Sequence, residues 1–144
     1  MLIGHYVHGL DDKKRLSIPS KWRSLLGKKV VMTSGLDKSL FVFSTKEWQK
    51  IAEKLSACSF TSQEARKFTR FFLANAFDAD IDSMGRILIP QQLINFAELK
   101  DKIVLAGIYN RIEIWDDKIW EKYSAQNNQS ADQVATKLCE IGIF

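Results

Sequence analysis

The chain has 144 residues, 46% of them hydrophobic and 26% charged, with a formal net charge of +4 and a pI near 9.1. With only two Pro and seven Gly this is a globular composition, which excludes a disordered chain. No apolar run reaches the roughly 18 residues of a membrane span. Met1-Leu2-Ile3-Gly4-His5 lacks the basic start and apolar stretch of a signal peptide, so a soluble cytoplasmic protein with no membrane partner is expected. Cys58 and Cys139 are far apart and have no CxxC spacing; they read as buried or incidental thiols in a reducing compartment.

In chain order, His5-Tyr6-Val7-His8 has strand composition, and Asp11 to Lys14 reads as a polar turn. Leu16 and Ile18 alternate with Arg15 and Ser17, as on a strand with one face inward. Pro19 suits the first position of a short helix from Ser20 to Leu26, which Gly27 ends. Val30–Thr33 and Leu40–Phe43 follow as strands. Ser44-Thr45-Lys46-Glu47 is a capping box for a helix towards Leu55, and Thr61-Ser62-Gln63-Glu64 opens another. On that second helix Ala65, Phe68, Phe71 or Phe72, and Asn75 recur at helical spacing, and the aromatic stripe reads as core. Pro90 starts a short helix through Phe96, and Asp116 caps one that carries Trp120. Asn127-Asn128-Gln129 reads as a polar break. Ser130-Ala131-Asp132-Gln133 then opens a last amphipathic helix with Val134, Leu138 and Ile141 on one stripe and Gly142 as its stop.

Part of this order is stated twice. Leu10-Asp11-Asp12-Lys13-Lys14-Arg15-Leu16-Ser17-Ile18-Pro19 returns as Ile81-Asp82-Ser83-Met84-Gly85-Arg86-Ile87-Leu88-Ile89-Pro90, at a constant offset of 71 residues. Downstream, Val31-Met32-Thr33-Ser34-Gly35 aligns with Ile103-Val104-Leu105-Ala106-Gly107, and Leu40-Phe41-Val42-Phe43 with Ile112-Glu113-Ile114-Trp115, both at an offset of 72. Lys46 and Trp48 align with Lys118 and Trp120 at that same offset. Four blocks in one order mark a duplicated β-turn-β, short helix, β-loop-β unit. A copy of about 45–50 residues is marginal alone, so the copies are expected to share a core, to oligomerise, or both. Pairing between copies and oligomerisation would also cover strand edges. The internal two-fold character suits a ring or another closed assembly.

The repeated motif pairs an Asp with an Arg across a turn. Asp11 and Asp82 can cap the turn by accepting from backbone N–H groups two residues on. Gly85 fits a last turn position with positive φ, where the first copy has Lys14. Arg15 and Arg86 can then project from a β-ribbon to read guanine or grip phosphate. The alternative is that the Asp–Arg pairs only fix turn geometry. Between Met1 and Lys29 seven Lys and Arg face two Asp, a cluster that suits a polyanion or a solvated face. Enzyme signatures are absent: no HExxH, P-loop, GxSxG or dinucleotide fingerprint occurs. His5 and His8 fall on opposite faces of their strand and form no metal pair. Trp22, Trp48, Trp115 and Trp120 read as core or oligomer contacts. No catalytic site, metal, cofactor or small-molecule substrate is expected.

These residues resemble the MraZ family. Asp11-Asp12-Lys13-Lys14-Arg15 and Asp82-Ser83-Met84-Gly85-Arg86 are similar to its paired Asp-x-x-Gly-Arg signatures, with Lys14 departing from the usual Gly. Arg70-Phe71-Phe72 to Ala76 and Glu113-Ile114-Trp115 resemble its pattern too. The resemblance implies an α+β fold with two tandem AbrB-like (SpoVT-AbrB) swapped-hairpin β-barrel units related by a pseudo-two-fold. The expected division is residues 5–47 and 77–119 for the units, 48–76 for linking helices and 120–144 for a C-terminal helical tail. It also implies a bacterial DNA-binding transcriptional regulator at the nucleoid, a ring-shaped homo-oligomer that binds short direct repeats upstream of its own division and cell wall operon and represses it. Arg15, Arg86 and Lys13 carry over as DNA-binding residues, and Lys14 joins them on charge alone. The more basic first turn leads one to expect Arg15→Ala to weaken DNA binding more than Arg86→Ala. The competing reading is an AbrB-type, antitoxin-like module that acts on a partner protein.

Overall fold

A computed structural model describes residues 1–58 and 60–144. The elements run β1 (Leu2–Gly9), β2 (Arg15–Ser17), α1 (Ser20–Leu26), β3 (Lys29–Ser34), β4 (Leu40–Ser44), α2 (Thr45–Ser56), α3 (Gln63–Leu73), β5 (Phe77–Asp80), β6 (Arg86–Leu88), α4 (Gln91–Ala97), β7 (Lys102–Tyr109), β8 (Ile112–Asp116) and α5 (Asp117–Glu140). The unit β-turn-β, helix, β-loop-β therefore occurs twice, in an α+β fold.

The copies interpenetrate. One antiparallel sheet has the strand order β1-β7-β8-β4-β3-β5, so β1 pairs with the second copy and β5 with the first. A two-stranded ribbon joins β2 to β6. Closed barrel units were expected. Among the described residues the strands instead form an open six-stranded sheet edged by β1 and β5, with the ribbon as a separate pair.

Every ladder obeys one pseudo-two-fold. It passes through the Leu16–Ile87 pair of the ribbon and the Phe41–Glu113 pair between β4 and β8, which are repeat-equivalent positions. The registers correct one sequence alignment. Ile103 pairs with Asp116 as Val30 pairs with Ser44, so β3 and β7 correspond at an offset of 73, not 72. Side-chain direction agrees: Val30 and Met32 join the same core cluster as Ile103 and Leu105. Gly107 is consequently not the counterpart of Gly35.

The core is common to both copies. Val30, Met32, Leu40, Val42, Ile103, Leu105, Ile112 and Ile114 of the sheet pack with Leu16 and Ile87 of the ribbon, Trp22 of α1 and Leu93 of α4. Trp22 is fully buried and stands edge-on to Tyr6 at 5.0 Å. The opposite sheet face is covered by α2, α3 and α5. Trp48 lies on Phe43 at 5.9 Å and stacks on Phe72, and Trp120 lies on Trp115 at 5.5 Å, the same arrangement once per copy. Thr33 Oγ1 and Ser34 Oγ donate to the carbonyls of Phe72 and Phe71, fastening the end of α3 to β3.

Local expectations fared unevenly. Ser44 caps α2 by accepting from Glu47 N, and Asp116 caps α5 by accepting from Lys118 N. The cap of α3 is Ser62, one residue after the expected start. Pro19 and Pro90 precede the first helical residue, with extended ψ, instead of occupying it. In α3 Phe72 is buried while Phe68 is 39% exposed, and both cysteines are exposed. The expected break at Asn127-Asn128-Gln129 is absent: α5 is continuous. These residues lack the defects of Gly or Pro, and Ser130 bonds back to the carbonyl of Gln126 instead of starting a helix.

Candidate nucleic-acid interface

The two turns are built alike. Asp11 Oδ1 accepts from Lys13 N at 2.9 Å and Arg15 N at 2.8 Å, while Lys14 N donates to the Asp11 carbonyl at 3.0 Å. Asp82 Oδ1 accepts from Met84 N and Arg86 N, both at 2.9 Å, and Gly85 N donates to the Asp82 carbonyl. Each is a turn closed by a residue at positive φ, the geometry of a three-residue hairpin loop. That residue is Gly85 at 78° in one copy and Lys14 at 63° in the other, so Lys14 adopts the conformation that glycine adopts freely.

The second carboxylate oxygen holds the arginine. Arg15 Nε donates to Asp11 Oδ2 at 2.8 Å and Arg86 Nε to Asp82 Oδ2 at 2.9 Å. The arginines therefore lie back on their turns instead of extending freely, with side chains 31% and 23% exposed. Among the described residues their terminal Nη nitrogens make no hydrogen bond. The Arg15 backbone N–H, followed by its guanidinium, holds the Asp11 carboxyl below its ordinary range; Arg86 acts likewise on Asp82.

Both arginines share one face. Leu16 and Ile87 point into the core, so by strand alternation Arg15, Ser17, Arg86 and Leu88 point outward together. Arg15 is opposite Leu88 and Arg86 opposite Ser17, which sets the arginines diagonally across the ribbon, about 7–8 Å apart for this ladder geometry. Lys13 and Lys14 are exposed at the tip of the first turn. The ladder continues beyond the ribbon: Ile18 N donates to the Gly85 carbonyl and Ile89 N to that of Lys14. Each turn is thus tied to the other copy.

One neighbour belongs to the basic cluster between Met1 and Lys29 but was not singled out from the sequence. Arg23 of α1 donates from Nε to the Ile18 carbonyl at 2.8 Å, and its guanidinium covers Gly85 so closely that a Cβ there would collide with Cζ, Nε and Nη2. The signal available in the sequence was the mismatch of Arg23 with its repeat counterpart, Ile94. Among the described residues no group of three His, Cys, Asp or Glu could hold a metal ion, and no helix is long and apolar enough to cross a membrane.

The family comparison accounts for the paired turns. The model described as "MraZ protein, putative antitoxin-like" matches residues 1–71 and again 72–140. The chain belongs to the MraZ family. It is 45% identical over 143 residues, 99% of its own length and 100% of the relative's, to the transcriptional regulator MraZ of Caldicellulosiruptor saccharolyticus. At the same coverage it is 43% identical to the transcriptional regulator MraZ of Acetivibrio thermocellus and 44% identical to that of Caldanaerobacter subterraneus subsp. tengcongensis. This MraZ chain therefore has tandem family domains, and its family is one of transcriptional regulators, not enzymes.

Proposed function

We propose that the outward face of the β2·β6 ribbon is a DNA-binding surface and that the chain regulates transcription by sequence-specific binding. The observation that carries this reading is the pair Arg15 and Arg86, set on one ribbon face, each oriented by its own Asp and with terminal nitrogens that make no hydrogen bond among the described residues. A β-ribbon fits the major groove, where an arginine fork reads guanine or clamps phosphate. Lys13 and Lys14 add phosphate contacts, while Asp11, Asp82 and Gly85 shape the turns. Pre-orientation by Asp lowers the entropy cost of fixing a long side chain on binding.

The target in this reading is a set of short direct repeats upstream of the chain's own division and cell wall operon, and binding represses it. One ribbon makes few contacts, so several copies in a ring-shaped homo-oligomer at the nucleoid supply strength by engaging successive repeats. The unpaired edges β1 and β5 are available for that assembly. The cross-paired arms are read as the AbrB-like swapped hairpin, with units at 5–47 and 77–119, a linker at 48–76 and a tail at 120–144.

The test is binding to the DNA directly upstream of the chain's own gene, measured over a salt series. Arg15→Ala should weaken binding and lower the salt slope by about 1 per engaged chain. Unchanged affinity and slope would remove the role given to Arg15. A stable complex with another protein, and no DNA affinity at physiological salt, would favour the antitoxin-like reading.

A further inference from the structure

We propose that Arg23 is a third DNA-contacting arginine and supplies the cation that the second turn lacks. The inference rests on the reading of the ribbon face as the DNA surface. It concerns a residue of α1 that belongs to neither repeated motif.

The two turns differ in charge as sequences. The first carries Asp12, Lys13 and Lys14 at its tip, a net +1; the second carries Ser83, Met84 and Gly85, with no charge. In space the difference narrows. Gly85 is buried because the Arg23 guanidinium lies over it, in volume that any side chain at position 85 would occupy. In the other copy the residue at positive φ brings its own cation, Lys14, and the helix position equivalent to Arg23 is the buried Ile94. Each turn thus has a cation beside its last residue. One comes from the turn itself and the other from the helix packed against it.

Arg23 is also oriented by a hydrogen bond without a carboxylate partner among the described residues. Arg15, Arg86 and Arg111 each face a carboxylate. Arg23 instead has only a neutral carbonyl acceptor, that of Ile18, and forms no ion pair among the described residues. Ile18 N in turn donates to the Gly85 carbonyl, so the strand end that fixes the turn also fixes the arginine. Its charge is oriented, partly exposed and not neutralised, with both Nη nitrogens making no hydrogen bond among the described residues. A phosphate oxygen beside the second turn is the complementary partner.

The experiment measures binding to the upstream DNA and to a random-sequence duplex across a salt series, with thermal melts of each variant. Arg23→Gln should lower affinity three- to tenfold on both DNAs and reduce the slope by about 1 per engaged chain. Arg23→Lys should keep the slope. The double variant Arg23→Ala/Gly85→Lys returns a cation to the turn after removing the side chain that blocks it, and should recover the slope lost in Arg23→Ala. A wild-type slope in Arg23→Gln, with a reduced one in Arg15→Ala, would overturn the proposal and leave the ribbon reading intact. Wild-type slopes in both would overturn the two together. Loss of folding in Arg23→Gln alone would leave the decision to Arg23→Lys and the double variant: a reduced slope in the first or no recovery in the second counts against a contact by charge.

Discussion

Leu16 of the first copy lies directly opposite Ile87 of the second, and the two are the same position of the repeat. Both are fully buried, and both turn their flanking arginines outward by strand alternation. The pair therefore joins the shared core to the outer face. Leu16→Ala or Ile87→Ala should cost about 2–5 kcal/mol, as for buried aliphatic truncations elsewhere. Chemical denaturation should show one cooperative transition shifted to lower midpoint in either variant. Two separated transitions would show that the copies fold independently.

Arg15→Ala and Arg86→Ala are expected to have more similar effects than the charges of their turns suggest. Sequence reading favours the first turn. The first tip, Asp12, Lys13 and Lys14, carries a net +1 and the second none, so Arg23 beside Gly85 offsets that bias. Each substitution should cost about 1–3 kcal/mol of binding, the range for one well-oriented contact. The two losses should therefore agree within about 1 kcal/mol. Titrations at one fixed salt concentration check this, and a loss confined to Arg15→Ala would return the bias to the first turn.

Lys14→Gly should move stability and DNA affinity in opposite directions. Lys14 holds φ at 63°, which costs an L-residue about 1–2 kcal/mol. Glycine releases that strain and adds about 0.5–1 kcal/mol of unfolded-chain entropy. The net is a gain of about 0.5 kcal/mol, read as a slightly higher melting temperature. The lost cation should reduce the salt slope by about 1 per engaged chain. A lower melting temperature would show that the Lys14 side chain makes a stabilising contact outweighing its backbone strain.

What was legible in the sequence was local. An Asp accepting from an N–H two residues on, a Ser capping a helix and a period-two strand are decided within five residues, and the chain folds accordingly. The exchange of arms was not visible in the residues, because β1 meets β7 about 100 residues later and no local signal names the partner. The slip at β3 has a different cause. Val30, Val31, Met32, Thr33 and Ser34 are all buried, since helices cover one sheet face and the ribbon side the other, so period two is erased there. Polar composition misled at α5, whose distal half is solvated and carries no Gly or Pro to interrupt it. Arg23 over Gly85 is a relation through space, visible only once the arms have crossed.

Acid should weaken both turns. Asp11 and Asp82 have carboxyl groups held below their ordinary range, first by the backbone N–H of Arg15 and of Arg86. A depressed folded pKa means that this stabilisation is present above the unfolded value, about 3.9 for Asp, and is lost as pH falls through the folded one. Melting temperature should therefore be level in this respect near neutrality and fall below about pH 4. Asp11→Asn/Asp82→Asn should melt lower at pH 7 and show a shallower acid fall. An identical acid profile would assign the loss to other carboxylates.

The two halves of α5 should respond differently to change. Trp120 and Tyr123 pack on Trp115, with ring centroids 5.5 and 4.9 Å away, and so hold the first turns against the sheet. From Ala125 onward almost every residue is exposed, including Val134 at 49% and Ile141 at 67%. Trp120→Ala should cost about 2–3 kcal/mol, less than a fully buried aromatic because it is only partly buried. Deleting residues 129–144 removes no buried side chain, so the melting temperature should stay within about 2 °C. Thermal melts of the two variants side by side make the comparison. A large drop on deletion would show that the distal helix is covered in solution, and dilution would then identify another copy as the cover if the drop disappears in dilute wild-type protein.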